Sequence, residues 1–210
     1  MSQTPRKQNF LQGTALLAMA TVVVKLIGAL YKIPLNAIIG PEGFSYFNTA
    51  YEIYNVLLMI STAGLPVAMS RMVSEASTLG NYNQVRRIYA TARTLFMTIG
   101  LVCSVLMTFF CRQLAEFQHQ PDAWAAIGAL GPCVLLICIM STFRGFFQGQ
   151  GNMIPTSISQ VLEAVVKLLA GMLTALALLK LTNSIPLAAG GAILGVTISC
   201  IVSSLFLLGR

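Results

Sequence analysis

Two lysines, Lys25 and Lys32, stand in the run TVVVKLIGALYKIP, residues 21–34, whose other side chains are almost all aliphatic. An ionised side chain at the centre of a membrane helix costs about 2.5–3.5 kcal/mol even on insertion scales. An ammonium group kept there therefore needs a counter-charge, water or an anionic ligand. Positions 14, 18, 21, 25, 28 and 32 step by three or four and share one helical face; they read Thr14, Ala18, Thr21, Lys25, Gly28 and Lys32. The two lysines are seven residues apart, roughly 10 Å along the axis. A second polar stripe follows at Asn48, Glu52, Asn55, Met59, Thr62 and Pro66, and a third at Gln160, Glu163, Lys167 and Thr174.

Three polar stripes in apolar segments predict a shared hydrated cavity. Its candidate lining is Lys25, Lys32, Glu52, Asn55, Glu163 and Lys167. Lysines in such a cavity suit an anion such as a phosphate or pyrophosphate, held by a point charge rather than a geometric fork. The plainer alternatives are mutual neutralisation and escape to the surface. Glu163 and Lys167 are i, i+4 neighbours that can pair along their helix, Lys32 can snorkel outward, and Lys25 has Glu52 as a candidate counter-charge.

The elements that must position these residues follow from composition. Of 210 residues, 56% are hydrophobic and only 9% charged, with a mean hydropathy of +0.78. Ordinary globular chains are about 25% charged, so the solvent here is lipid, where only helices or closed barrels satisfy their backbone groups. The apolar segments run far longer than the roughly ten alternating residues of a barrel strand. An all-α polytopic bundle is expected, a single transmembrane domain over 1–210 with six spans near Leu11–Ile39, Phe44–Met69, Ile88–Cys111, Trp124–Phe143, Ile158–Leu179 and Leu187–Leu208.

Counting Lys and Arg in the links sets the orientation. With the amino terminus inside, Arg6, Lys7, Arg71, Arg86, Arg87, Arg93, Arg144 and Arg210 are cytoplasmic, against Arg112 and Lys180 outside. Both termini are therefore expected in the cytoplasm. The last span carries Gly191, Gly195, Ser199 and Ser203 at four-residue spacing, a ridge that lets a neighbouring helix approach closely. Pro66, Gly131 and Pro132 are expected to shape packing or bend their spans.

Other functions find no support in the residues. The net charge of +7 is spread between spans and forms no nucleic-acid patch. The five cysteines, Cys103, Cys111, Cys133, Cys138 and Cys200, show no metal or disulfide spacing and read as small buried side chains. His119 sits in a polar link. GQGN lacks the Lys-Ser/Thr of a P-loop, and the first apolar run is too long for a signal-peptide core. No resident cofactor is expected, although a coupling ion is open.

Three stretches are recognisable: STAGLPVAMSRMVSEASTLGNYNQVRRI at 61–88, RGFFQGQGNMIPTSISQVLEAVVKL at 144–168, and GALYKIPLNAIIGPEGFSYFNTAYEIY. Together they resemble the SpoVB-like exporters of polysaccharide and lipid-linked oligosaccharide, relatives of the MurJ-type lipid II flippases in the MATE/MOP superfamily. The resemblance implies one lobe of a two-lobe transporter, with the second six-helix lobe supplied from outside these residues. It implies a bacterial plasma-membrane flippase that moves an undecaprenyl-diphosphate-linked sugar by alternating access among membrane lipids.

For such flippases, cations on the first helices are thought to hold the diphosphate; Lys25 and Lys32 occupy comparable places, where the lipid II flippases tend to use arginine. Arg71 and Arg144 stand at the ends of the second and fourth spans. There they serve either as the first contacts of an anionic headgroup or as ordinary cytoplasmic anchors. The alternatives are a MATE-type multidrug or cation antiporter using Glu52 and Glu163, an inactive truncated half, and an intramembrane enzyme. The last is disfavoured because no acid–base pair, nucleophile triad or metal cluster is apparent.

Overall fold

The computed structural model describes residues 10–62 and 64–209. Its helices are α1 (Phe10–Thr62), α2 (Leu65–Thr78), α3 (Tyr82–Phe109), α4 (Cys111–Phe117), α5 (Trp124–Gly149), α6 (Ile154–Thr182) and α7 (Ile185–Leu208), with a 3₁₀ turn at Pro121–Ala123. Five helical segments are long and apolar enough to cross a membrane: Gln12–Ile53, Tyr82–Phe109, Pro121–Gly149, Ile154–Thr182 and Ile185–Leu208. Such runs become helices because every backbone group must find its partner within the segment when water is absent.

The first of these segments joins the first two expected spans, and it is not straight. Gly40 interrupts α1 with φ 71° and ψ 175°. The Tyr31 and Phe47 rings on either side of it lie 6.0 Å apart, whereas an unbroken helix would separate them by about 24 Å. The chain therefore turns back at Gly40, and 10–39 and 41–62 run as a helical hairpin. Phe47 continues the aromatic stack to Phe44 at 6.2 Å and Tyr51 at 5.1 Å.

This backbone conformation is one that essentially only glycine adopts, at a cost of about 1–3 kcal/mol to other residues. A Cβ at Gly40 would meet nothing within 4 Å, so Gly40→Ala tests the backbone alone. It should lower thermal stability in detergent by about that amount. Gly28→Ala, equally uncrowded but without a positive φ, should leave stability unchanged or raise it.

The expected second span, Phe44–Met69, is too long. The chain breaks at Gly64, φ 82°, and restarts as α2 with Pro66 in its first turn, where its missing N–H costs nothing. The fourth span is longer than the expected Trp124–Phe143, because α5 continues to Gly149. Gly145 and Gly149 let α2 pack onto that extension: a Cβ at Gly145 would lie 3.1 Å from the Pro66 carbonyl, and one at Gly149 would lie 2.8 Å from that of Ser70. Arg144 is thereby drawn inside a helix rather than left at its end.

Gly13, Thr78 and Gly151 line one groove, and Ser203 near the end of α7 donates to the Ser159 carbonyl near the start of α6 at 3.1 Å. Both ends of the described chain thus lie at the end of the bundle that holds the 78–82 and 149–154 links. At the opposite end Tyr46 donates to Asp122 (3.4 Å), and Gln120 donates to Ser45 while accepting from Thr49, both at 2.8 Å. Of the basic residues counted for orientation, Arg6, Lys7 and Arg210 lie outside the described residues.

The core centres on α5 and α7, with Ile127, Leu130, Val134, Ile193 and Val196 buried. The small-residue ridge of α7 does what its spacing predicts. A Cβ on Gly195 would run into the backbone of Gly171, and one on Gly191 would lie 2.8 Å from the Thr174 carbonyl; Thr174 donates to the Gly191 carbonyl at 2.6 Å. Cys133, Cys138 and Cys200 are buried and Cys103 and Cys111 are half-buried; the Cys133 and Cys200 sulfurs touch at 3.2 Å.

Candidate anion-binding cavity

The third polar stripe meets α5 inside the bundle. Arg144 Nη2 donates to Glu163 Oε2 at 2.8 Å, with the two side chains only 17% and 22% exposed. Arg144 Nε donates to Ser159 Oγ at 3.1 Å, and the Ser159 hydroxyl donates to the Thr156 carbonyl at 2.8 Å. One turn along α6 from Glu163, Lys167 Nζ donates to the Tyr51 hydroxyl at 3.4 Å and stands 6.0 Å from that ring's centre. Arg144, Glu163 and Lys167 border a cavity of about 220 Å³ whose other lining residues are Thr21, Val24, Gln160 and Ala164. Two basic side chains and one carboxylate line it, so its charged lining is net positive.

The intrahelical Glu163–Lys167 pairing is therefore corrected: the carboxylate goes to Arg144 on the neighbouring helix, and Lys167 to Tyr51. An i, i+4 pair stabilises a helix by only about 0.2–0.5 kcal/mol. A guanidinium is more weakly hydrated than an ammonium and carries several donors, so it suits a sheltered carboxylate better. Arg144, expected at the end of its span, lies within α5 and lines the cavity.

The other expected site residues are not gathered here. Lys25 and Lys32 are exposed on α1; Thr21, one turn before Lys25, is the stripe's contribution to the cavity wall. Among the described residues Arg144–Glu163 is the sole ion pair, so Lys25 is not neutralised by Glu52. Glu52 instead edges a separate groove of about 800 Å³ whose walls are mainly apolar, with Ile53, Val56, Leu106, Phe110 and Phe117. Asn55 is exposed one turn further on, while the side chains of Met59 and Thr62 lie outside the described residues. Arg71 is exposed on α2 and borders a groove of about 690 Å³ with Ser74, Glu75 and Gln148.

Sequence reasoning missed Tyr51 and Ser159. Tyr51 adjoins Glu52 and falls off the second stripe by one residue, a hint that becomes legible only when the hairpin brings it to Lys167. Among the described residues no three His, Cys, Asp or Glu side chains gather to hold a metal ion.

A helical bundle with five segments long and apolar enough to cross a membrane, and with ionised side chains among them, is a multi-pass membrane protein. The chain belongs to the polysaccharide biosynthesis protein family, whose profile matches residues 10–209. It is 32% identical over 202 residues to stage V sporulation protein B of Bacillus subtilis (strain 168), covering 96% of this chain and 39% of that protein. It is 28% identical over 184 residues to the lipid II flippase MurJ of the same organism, covering 83% and 34%.

The chain thus spans well under half the length of these curated relatives. Among solved structures the fold is similar to an inward-facing MATE-family multidrug resistance transporter of the MOP superfamily, with TM-score 0.72, 19% identity, and 91% of this chain on 46% of that one. An outward-facing structure of a MATE-family transporter gives TM-score 0.75 at 14% identity, with 98% on 47%.

Proposed function

We propose that the chain forms one six-crossing lobe of a two-lobe, alternating-access flippase of the bacterial plasma membrane, carrying a lipid-linked diphosphate sugar between leaflets. The carrying observation is the net positive cavity between α1, α5 and α6, where Arg144 and Lys167 face one carboxylate. The hairpin at Gly40 supports six crossings from five apolar segments. Arg71, Arg86 and Arg87 gather at the same end as both ends of the described chain, which supports cytoplasmic termini.

The first half of α1 is largely uncovered, and its polar stripe presents Lys25 and Lys32 to whatever lies beside it. A second lobe of similar size would enclose that face, which agrees with the fraction of each relative that the chain spans. The undecaprenyl-diphosphate headgroup would cross against Lys25, Lys32 and Lys167 while its lipid tail stays in the bilayer, with drive from an ion gradient, the membrane potential or product removal. Replacing Lys25 and Lys32 together by glutamine should cut headgroup translocation at least about tenfold while protein levels hold, since each lost charge contact is worth about 1.5–3 kcal/mol. A fluorescent lipid-linked-sugar flipping assay in proteoliposomes checks this, and unchanged flux sinks the anion reading.

One observation favours a second reading, export of a lipophilic cation: Glu52 has no ion-pair partner among the described residues and edges the apolar groove. Efflux that depends on Glu52 and ignores both lysines would select it.

A further inference from the structure

We propose that the cleft between α2 and α3 binds an anionic glycerophospholipid of the surrounding bilayer, with its phosphate on Arg87 and Thr91 and one acyl chain lying along the cleft. The site is independent of the transport reading: it shares no lining residue with the cavity at Arg144. The two helices are sequence neighbours joined by the short link 79–81. Met69, Val73, Ala76 and Val85 form one buried cluster that ties α2 to the first turn of α3, and Tyr89 sets its ring against Phe146 of α5 at 4.9 Å. Beside that cluster a cleft of about 300 Å³ stays open, with Met72 and Leu95 on its walls 51% and 45% exposed.

The lining of the cleft changes with depth. Met69, Met72, Ile88, Ala92, Leu95 and Phe96 make its walls apolar, and its polar residues are Arg87 and Thr91. Arg87 stands five residues beyond the start of α3 and eight before Leu95, so the apolar walls extend about 12 Å from it along the helix. Helical side chains tilt toward the start of their helix, which carries the guanidinium toward the bundle end that holds the 78–82 link. Charge at the end and hydrocarbon below it match one phospholipid in one leaflet. No carboxylate lines the cleft.

Both polar residues have donors to give. Arg87 is exposed and forms no ion pair, Arg144–Glu163 being the sole one among the described residues. Thr94 and Thr98 direct their hydroxyls to carbonyls of the preceding turn at 3.1 and 2.9 Å; Thr91, one turn beyond Arg87, makes no such bond among the described residues. A hydroxyl left without an acceptor in hydrocarbon is costly, and a phosphodiester oxygen supplies one. A guanidinium can meet two phosphate oxygens with parallel N–H donors, and basic pockets between helices at a membrane surface hold anionic headgroups. Arg86 separates the cleft from general attraction. It is the adjacent residue, also exposed, but does not line the cleft, so an anionic surface acts on both arginines while the cleft acts on Arg87.

Native mass spectrometry of the intact protein released from detergent micelles, titrated with phosphatidylglycerol or with phosphatidylcholine of the same chains, tests this. Wild type is expected to retain one phosphatidylglycerol in preference to phosphatidylcholine, and its melting temperature should rise with phosphatidylglycerol concentration. Arg87→Gln should weaken phosphatidylglycerol binding about fivefold, the contribution of one basic side chain at an anionic surface. Ala68→Phe, which fills the cleft from an exposed position, should abolish the retained lipid, and Arg86→Gln should bind as wild type does. Equal retention of the two lipids by wild type, a result that needs no variant to fold, overturns the proposal. So does an equal loss in Arg86→Gln and Arg87→Gln. Displacement of the phosphatidylglycerol by farnesyl diphosphate would also overturn it, assigning the cleft to a diphosphate-bearing substrate instead.

Discussion

Gly195→Leu is expected to abolish the folded bundle. A Cβ at that position would already collide with the Gly171 backbone, and the collision is with main chain, which cannot rotate aside. The whole α6–α7 contact would have to part. In lipid that contact is held by close van der Waals approach rather than by water exclusion, so separating the helices forfeits its source of stability. Inserting bulk into a packed core costs about 1–3 kcal/mol, more where backbone must move. Against typical domain stabilities of about 5–15 kcal/mol, a whole isobutyl group here should leave little folded protein. Size-exclusion profiles in mild detergent should show loss of the monodisperse peak, whereas Gly28→Leu, on an uncrowded stretch of α1, should elute as wild type does.

The second large effect is at Arg144. Arg144→Gln leaves Glu163 without its counter-ion and Ser159 Oγ without its donor. A fully buried ion pair broken on one side costs about 3–5 kcal/mol. At 17% and 22% exposure the cavity admits some screening, so about 1–3 kcal/mol is expected, read as a fall in melting temperature. Adding Glu163→Gln should return most of that stability, because the stranded charge is gone, while binding of a diphosphate stays lost. A double-mutant cycle on stability then isolates the pair. If the double variant is no more stable than Arg144→Gln alone, the 2.8 Å contact is a surface ornament and the cavity loses its electrostatic basis.

Much of the architecture is legible in the chain because lipid leaves few choices. Long apolar runs with few charges must be helices, and the Gly191/Gly195 spacing declares a close-packed ridge before any partner is known. The polar residues of the third stripe were likewise identifiable as too costly to be incidental. What spacing along one helix cannot state is which neighbour turns toward it. Glu163 has a lysine four residues away and an arginine nineteen residues away, and local periodicity sees only the first.

The sequence by itself determined the class of the molecule, the presence of charge inside the membrane and the face of α7 that packs. Hydropathy and helical period are local quantities, and they suffice for these. Only the tertiary structure decided that α1 doubles back at Gly40, that Tyr51 reaches Lys167 while Glu52 faces a separate groove, and that Glu163 answers to Arg144 rather than to Lys167. Those outcomes depend on distances between helices, which are set by where glycines let backbones meet, and no single helix carries that information.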